Sequence, residues 1–136
     1  MDNLNIVSVL KINIKKHMDF GTIIAGQKAS TRESSRTPAE IDVEGTSGQR
    51  VKITIPKSAE IKNSSGDILL VDLQFRNTQN MSDLGDKKSI VKNIAFENKN
   101  GIGKTDIIKI DGNIATKTNS RGNYKGVFTV RVEYEN

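Results

Sequence analysis

Apolar and polar residues alternate with a period of two along most of this chain, the spacing of strands that bury one face. Leu4, Ile6, Ser8, Leu10, Ile12 and Ile14 share one parity across the first segment. Phe20–Ile24 reads as a second strand closed by Ala25-Gly26, and Ile41 with Val43 as a short third one before a turn at Gly45–Gly48. Val51, Ile53 and Ile55 alternate with Lys52 and Thr54 until Pro56, which cannot donate to a ladder, stops the strand. Ile68–Phe75 predicts a longer, more continuously apolar strand after the turn signal Asn63-Ser64-Ser65-Gly66, while Ile90–Phe96 fits a strand or a short helical turn. Ile108 and Ile110 lead into Asp111-Gly112 with Ile114 beyond, a pattern for a hairpin or a bulge. The final stretch, GNYKGVFTVRVEY, alternates most clearly. Tyr124, Gly126, Phe128, Val130, Val132 and Tyr134 fall on one face, and Lys125, Val127, Thr129, Arg131 and Glu133 on the other.

Short strands broken by Gly, Asn, Asp and Ser, with no amphipathic helix and no internal repeat, predict an all-β sandwich. At 136 residues the chain is long enough for one domain with its own core. Residues 1–16 read as an N-terminal strand and possible donor strand, and 17–136 as the sandwich. The polar segment Gln27–Pro38, QKASTRESSRTP, is the expected long loop.

Composition narrows the chemistry. The absence of cysteine excludes disulfides, thiol catalysis and zinc-thiolate sites, and leaves the compartment open because oxidising surroundings permit disulfides without requiring them. No apolar run approaches membrane-spanning length, so no membrane insertion is expected. The first residues, MDNLNIVSVLKINIKK, place acid and amide side chains before basic ones, the reverse of a signal peptide, which suits a cytosolic chain or a mature secreted one. The net charge of +5 favours anionic partners, but Lys15, Lys16, Arg32, Arg36, Lys87, Lys88, Lys99 and Lys104 are scattered among acids. Four Phe and two Tyr are few for stacking bases, so nucleic acid is not an expected partner.

Candidate catalytic patterns fail one by one. NKNGIGKT, Asn98–Thr105, has Asn98 where a phosphate loop needs its first glycine, and TDIIKIDGN after it reads as a strand rather than a helix. Asp106 stands where a dinucleotide fingerprint needs its third glycine, so the stretch reads as a hairpin turn. His17, the only histidine, follows Lys15 and Lys16 at a strand end and has no second histidine to share a metal. Asp67, Asp72, Asp83 and Asp86 lack the spacing of a calcium loop, and the serines of STRESSR lack a nucleophile-elbow context. Asn63-Ser64-Ser65 and Asn80-Met81-Ser82 match the short glycosylation acceptor pattern. No enzyme activity, cofactor or metal is expected.

A sandwich without a catalytic constellation works through its surface or its edges, where unpaired N–H and C=O groups invite another strand. The first segment, with Leu4, Ile6, Leu10, Ile12 and Ile14 on one face and Ser8 between them, could complete its own sheet or enter a neighbour's.

The ordered motifs resemble those of the Ig-like fimbrial-subunit domains of Gram-negative bacteria, including a family of uncharacterised function common in predicted secreted surface proteins. After NLNIVSVLKINI, the segment MDFGTIIAG (Met18–Gly26) is similar to the family's L-D-F-G-x-[IV]-x-x-G opening. IDVEG (Ile41–Gly45) resembles its F-x-V-x-G strand, and VKITIP (Val51–Pro56) its Y-x-I-x-L-P strand. KIDGNIAT is similar to its V-G-G-x-L stretch, and GNYKGVFTVRVEY to G-x-Y-x-G-x-F-x-V-x-V-x-Y. Gly122 and Tyr134 are similar in spacing to the Gly and near-terminal Tyr on which chaperone–usher pilins end.

The resemblance implies an Ig-like β-sandwich of roughly 7–9 strands with Greek-key connections. It further implies export through the periplasm after loss of a leader, and residence outside the cell as a structural subunit of a fimbria or pilus with a role in adhesion. The partners it implies are like subunits, a periplasmic chaperone, an outer-membrane usher and a host receptor. Leu4, Ile6, Ser8, Leu10, Ile12 and Ile14 would then be the donor strand, and Gly122, Phe128, Val130, Val132 and Tyr134 would border the acceptor groove. The alternative is an autonomous secreted or cell-surface sandwich that binds a host glycan or protein through loops Gln27–Pro38 and Asn77–Lys88, without strand exchange.

Overall fold

The computed structural model describes the backbone of residues 9–76, 81–83, 86–115 and 122–135, and the side chains of all of these except 81–83, 86 and 87. Among them run β1 (Lys11–Lys16), β2 (Lys28–Ser30), β3 (Ala39–Gly45), β4 (Arg50–Pro56), β5 (Ser58–Lys62) and β6 (Ile68–Phe75). They are followed by β7 (Met81–Asp83), β8 (Asp86–Ala95), β9 (Glu97–Lys99), β10 (Ile102–Lys104), β11 (Ile108–Ala115) and β12 (Arg131–Tyr134). These form an eight-stranded sheet, ordered β5-β6-β11-β3-β10-β9 with β1 beside β3 and β2 beside β11, and a four-stranded sheet ordered β12-β4-β8-β7. All strand pairs are antiparallel, and β3–β4, β4–β5, β6–β7, β8–β9 and β11–β12 each cross between the sheets. The result is an all-β sandwich, as the period-two pattern predicts.

The inner faces follow parity. Val51, Ile53 and Ile55 of β4 are at most 1% exposed, and Leu69, Val71, Leu73 and Phe75 of β6 at most 4%. Each such side chain contributes about 1.5–3 kcal/mol by leaving water. The intervening Leu70 is 60% exposed, so β6 buries one face rather than two.

Four differences from the sequence reading have physical causes. The strand count exceeds the expected number because β2, β7, β9 and β10 are only three residues long each, too short to show a period. β5 has no counterpart in the sequence reading, since SAEIK offers Ile61 as its only large apolar residue. Phe20–Ile24 is not a strand. That segment crosses the inner face of the larger sheet, tied by isolated bridges at Asp19↔Thr37 and Ile23↔Gly122. Asp111-Gly112 is not a turn but the middle of β11, and a Cβ on Gly112 would lie 2.6 Å from Met18 Sδ and 2.8 Å from Phe20 Cζ. The glycine is there so that the crossing segment can approach the strand closely.

Between β2 and β3 the edge of β11 has a gap, because β3 pairs with Ile108–Ile110 and β2 with Asn113–Ala115. Thr31 fills it: its N–H donates to Gly112 O at 3.1 Å, and its Oγ1 accepts from Gly112 N at 3.0 Å. Its hydroxyl in turn donates to Asp111 Oδ1 at 2.7 Å. The buried Asp111 also takes a two-pronged contact from Arg76, Nε to Oδ2 at 2.8 Å and Nη2 to Oδ1 at 2.6 Å. Burial pushes the Asp111 carboxyl upward, but hydrogen bonds from Arg76 and Thr31 and the Arg76 and Arg32 charges outweigh it and hold it below its ordinary value.

β1 lies on the other side of β3, from Lys11↔Glu44 to Lys16↔Glu40. Polar contacts line its outer face. Asn13 Nδ2 donates to Asp42 Oδ1 at 2.7 Å and Glu44 Oε2 at 2.6 Å, and Lys15 and Lys16 pair with Asp42 and Glu40 at 3.6 and 3.7 Å.

Candidate functional site

The sandwich is open along one side. A groove of about 870 Å³ lies between residues 17–22, which follow β1, and residues 123–128, which precede β12. Its floor is the inner face of the larger sheet, Ala59 and Ile61 of β5 with Val71 and Leu73 of β6. Met18, Phe20, Tyr124 and Phe128 extend the apolar lining, while His17, Asp19 and Lys125 add ionisable groups. The bridge between Ile23 and Gly122 joins the two walls.

The C-terminal wall shows why the site has this shape. The alternation from Tyr124 to Tyr134 holds as burial: Tyr124, Phe128, Val130, Val132 and Tyr134 all pack against the core, whereas Val127 is 92% exposed. Yet only Arg131–Tyr134 is a paired strand, on β4. Upstream, Lys125 exchanges two backbone hydrogen bonds with Lys62, each 2.8 Å. Beyond it, the backbone N–H and C=O groups of Gly126–Thr129 have no hydrogen-bond partner among the described residues. The wall is an extended segment with the expected face half-buried and an unladdered backbone. Gly126 lets it run close to β5, since a Cβ there would lie 2.3 Å from Glu60 O.

The residues singled out from sequence divide across the fold. Phe128 lines the groove, Gly122 marks the junction of its walls, and Val130 and Val132 continue the same half-buried face. Tyr134 lies away from the groove, beneath the β3–β4 turn. Its ring packs edge-on against Phe96 with centroids 5.9 Å apart, and its hydroxyl accepts from Thr46 N at 2.9 Å. Tyr134→Phe is expected to cost about 0.5–1.5 kcal/mol through the lost hydrogen bond, read as a lower midpoint in urea unfolding, without closing the groove.

Of the N-terminal set, Leu4, Ile6 and Ser8 lie outside the described residues. Leu10 and Ile12 pack against the core of their own chain, and Ile14 is 61% exposed although it stands opposite Ile41. Lys11–Lys16 thus belongs to the larger sheet of its own sandwich. The sequence reading missed the floor and the first wall. Residues 20–22 read as part of a strand rather than as a wall crossing the sheet, and Ala59 and Ile61 sit in a strand with too few apolar residues to register.

The remaining candidates are structural. Asn98–Thr105 is the β9–β10 hairpin, with Asn100 at φ 55° and Gly101 at φ 84°, the left-handed pair that a two-residue turn requires. Asn63 builds its turn by accepting from the N–H groups of Ser65 and Asp67 at 3.0 and 2.9 Å. Asp83 and Asp86, and most of Asn77–Lys88, have side chains outside the described set, and the segment expected as a loop contains β7 and the start of β8. Among the described residues, no three His, Asp or Glu side chains converge as a metal site, and no helix is long and apolar enough to cross a membrane.

Residues 10–134 match the family model of a domain of unknown function, DUF4402. No curated protein and no solved structure matches the chain.

Proposed function

The chain belongs to the DUF4402 family, a domain of unknown function, and we propose from the groove itself that this domain is a structural subunit of a bacterial surface fibre, assembled by strand complementation. The observation that carries the reading is the apolar groove bordered by the unladdered backbone of Gly126–Thr129. An extended segment placed there gains ladder hydrogen bonds from the wall and buries alternate side chains on Ala59, Ile61, Val71 and Leu73, the two ingredients of strand addition. The segment is the part of a second copy that precedes β1, with Leu4 and Ile6 as apolar side chains and the small Ser8 following them on the same face. Leu10, Ile12 and Ile14 drop out of the donor set, because Leu10 packs against its own core and β1 is engaged on its own β3. Export through the periplasm, guidance by a chaperone and an outer-membrane usher, and a role in adhesion belong to the same proposal.

The closure of β1 onto β3 favours a second reading, a self-sufficient surface domain that binds a host glycan or protein through its loops. Light scattering after size-exclusion chromatography separates the two. The full chain is expected to form oligomers that grow with concentration, and a variant lacking Asp2–Val9 to stay folded and monomeric. Equal oligomerisation of that variant would sink the donor-strand reading, and a stable monomer at all concentrations of the full chain would favour the autonomous domain.

A further inference from the structure

The loop between β2 and β3 reaches the first groove wall through the Arg36 side chain. Arg36 is only 14% exposed at its side chain, deep for a guanidinium carried by a loop. Its Nε donates to Glu33 Oε2 at 3.1 Å, and its Nη1 donates to the carbonyl oxygens of Phe20 and Thr22. Asp19 completes the brace. Its backbone exchanges hydrogen bonds of 2.8 and 2.9 Å with Thr37, and its carboxylate accepts from Gly21 N at 2.7 Å. Along this wall the carbonyls of Phe20 and Thr22 and both backbone groups of Asp19 are occupied by the β2–β3 loop, while the backbone groups of Gly126–Thr129 on the facing wall have no partner among the described residues.

We propose that Arg36 is a positioning residue for the groove: it ties the Phe20–Thr22 wall to the β2–β3 loop, so that an incoming extended segment builds its ladder on Gly126–Thr129 alone and meets the other wall only through side chains. This inference rests on the strand-complementation reading. Its physical content is register. A slot with two free edges lets an occupant pair with either, and a one-residue slip turns every side chain to the wrong face. A slot with one live edge and an apolar floor leaves a single favourable alignment. The planar guanidinium suits the task because separate N–H groups can serve Glu33 and two carbonyls at once, which a lysine ammonium at the end of a flexible stem holds less rigidly. The polar composition of QKASTRESSRTP is then that of a brace for the groove wall.

The test uses the full chain at a concentration where it is monomeric, and a synthetic peptide of residues 2–9 as the probe. Amide exchange followed residue by residue is expected to slow at Gly126–Thr129 when peptide is added and to stay unchanged at Gly21 and Thr22. Arg36→Ala is expected to bind the peptide roughly tenfold more weakly, the size expected when a charge-assisted hydrogen bond stops fixing the wall. Arg36→Lys should recover thermal stability without recovering that affinity, and it carries the comparison alone if Arg36→Ala does not fold. Unchanged peptide affinity in the folded variants, as a purely structural arginine would give, overturns the proposal. So does peptide-induced protection at Gly21 and Thr22 in the unaltered chain. No protection at Gly126–Thr129 in the unaltered chain overturns the strand-complementation reading itself, and the role of Arg36 with it.

Discussion

Asp111→Ala is expected to lower the stability of this fold by about 3–5 kcal/mol, the usual consequence of removing one partner from a buried ion pair. The carboxylate is fully buried in β11 and holds Arg76 in a two-pronged contact and the Thr31 hydroxyl at 2.7 Å. Without it, the Arg76 guanidinium, 22% exposed, stays largely desolvated beside an emptied space. Thr31, which bridges the gap in the β11 edge, loses the acceptor that orients its hydroxyl. Urea unfolding at neutral pH reads the loss directly. The same group fixes a pH signature, because its carboxyl is held below its ordinary value in the folded chain. The stability this gives is fully present above the unfolded carboxylate value near pH 3.9 and is lost as pH falls through the lower folded value. Asp111→Ala should remove that part of the acid dependence. If its stability instead kept the full acid dependence of the unaltered chain, the acid-labile group would lie elsewhere.

The second large effect is expected at Gly126. A Cβ there meets Glu60 O at 2.3 Å and Ile61 Cγ2 at 3.0 Å, and the nearer atom is backbone, which cannot rotate aside. Gly126→Val must therefore lift the C-terminal segment from β5, at an overpacking cost of about 1–3 kcal/mol. The pairing of Lys125 with Lys62 should break, and the wall ending at Phe128 should move. Strand addition needs that wall in place, so the variant is expected to lose concentration-dependent oligomers while remaining folded. Circular dichroism with light scattering distinguishes the two effects. Gly48, where a Cβ meets nothing within 4 Å, shows that clash is not general to the glycines of this chain. A Gly126→Val chain that oligomerised normally would show that the groove wall does not take part in assembly.

How far the sequence foretold this arrangement depends on what alternation reports. It reports which face of a segment is buried, and it did so for Val51, Ile53 and Ile55 and for Tyr124 through Tyr134. It says nothing about whether a neighbouring strand lies alongside. Hence Tyr124–Val130 read as a strand, although it is tied only by the bridge of Lys125 to Lys62 and the paired strand is Arg131–Tyr134. The first groove wall was illegible for a different reason. Residues 17–22 cross the sheet rather than run within it, and Met18 and Phe20 are accommodated by a missing side chain at Gly112, which lies 92 residues further on than Phe20 in the sequence. Asp111 looked like half of a turn because Asp-Gly is a turn pair. Its burial depends on Arg76 and Thr31, whose proximity no local pattern encodes.

β1 has a directional consequence. Its Lys16 end leads straight into the groove wall at His17, while its Lys11 end stands opposite Glu44, near the turn over Tyr134. The strand is six residues long, so about 20 Å separate the point where the preceding segment leaves the sandwich from the start of the groove. On the proposed reading each subunit thus presents a head and a tail that are unlike surfaces. A contact between unlike surfaces that does not close on itself propagates as a filament rather than a ring, and that filament would be polar, with an open groove at one end and an unmatched strand at the other.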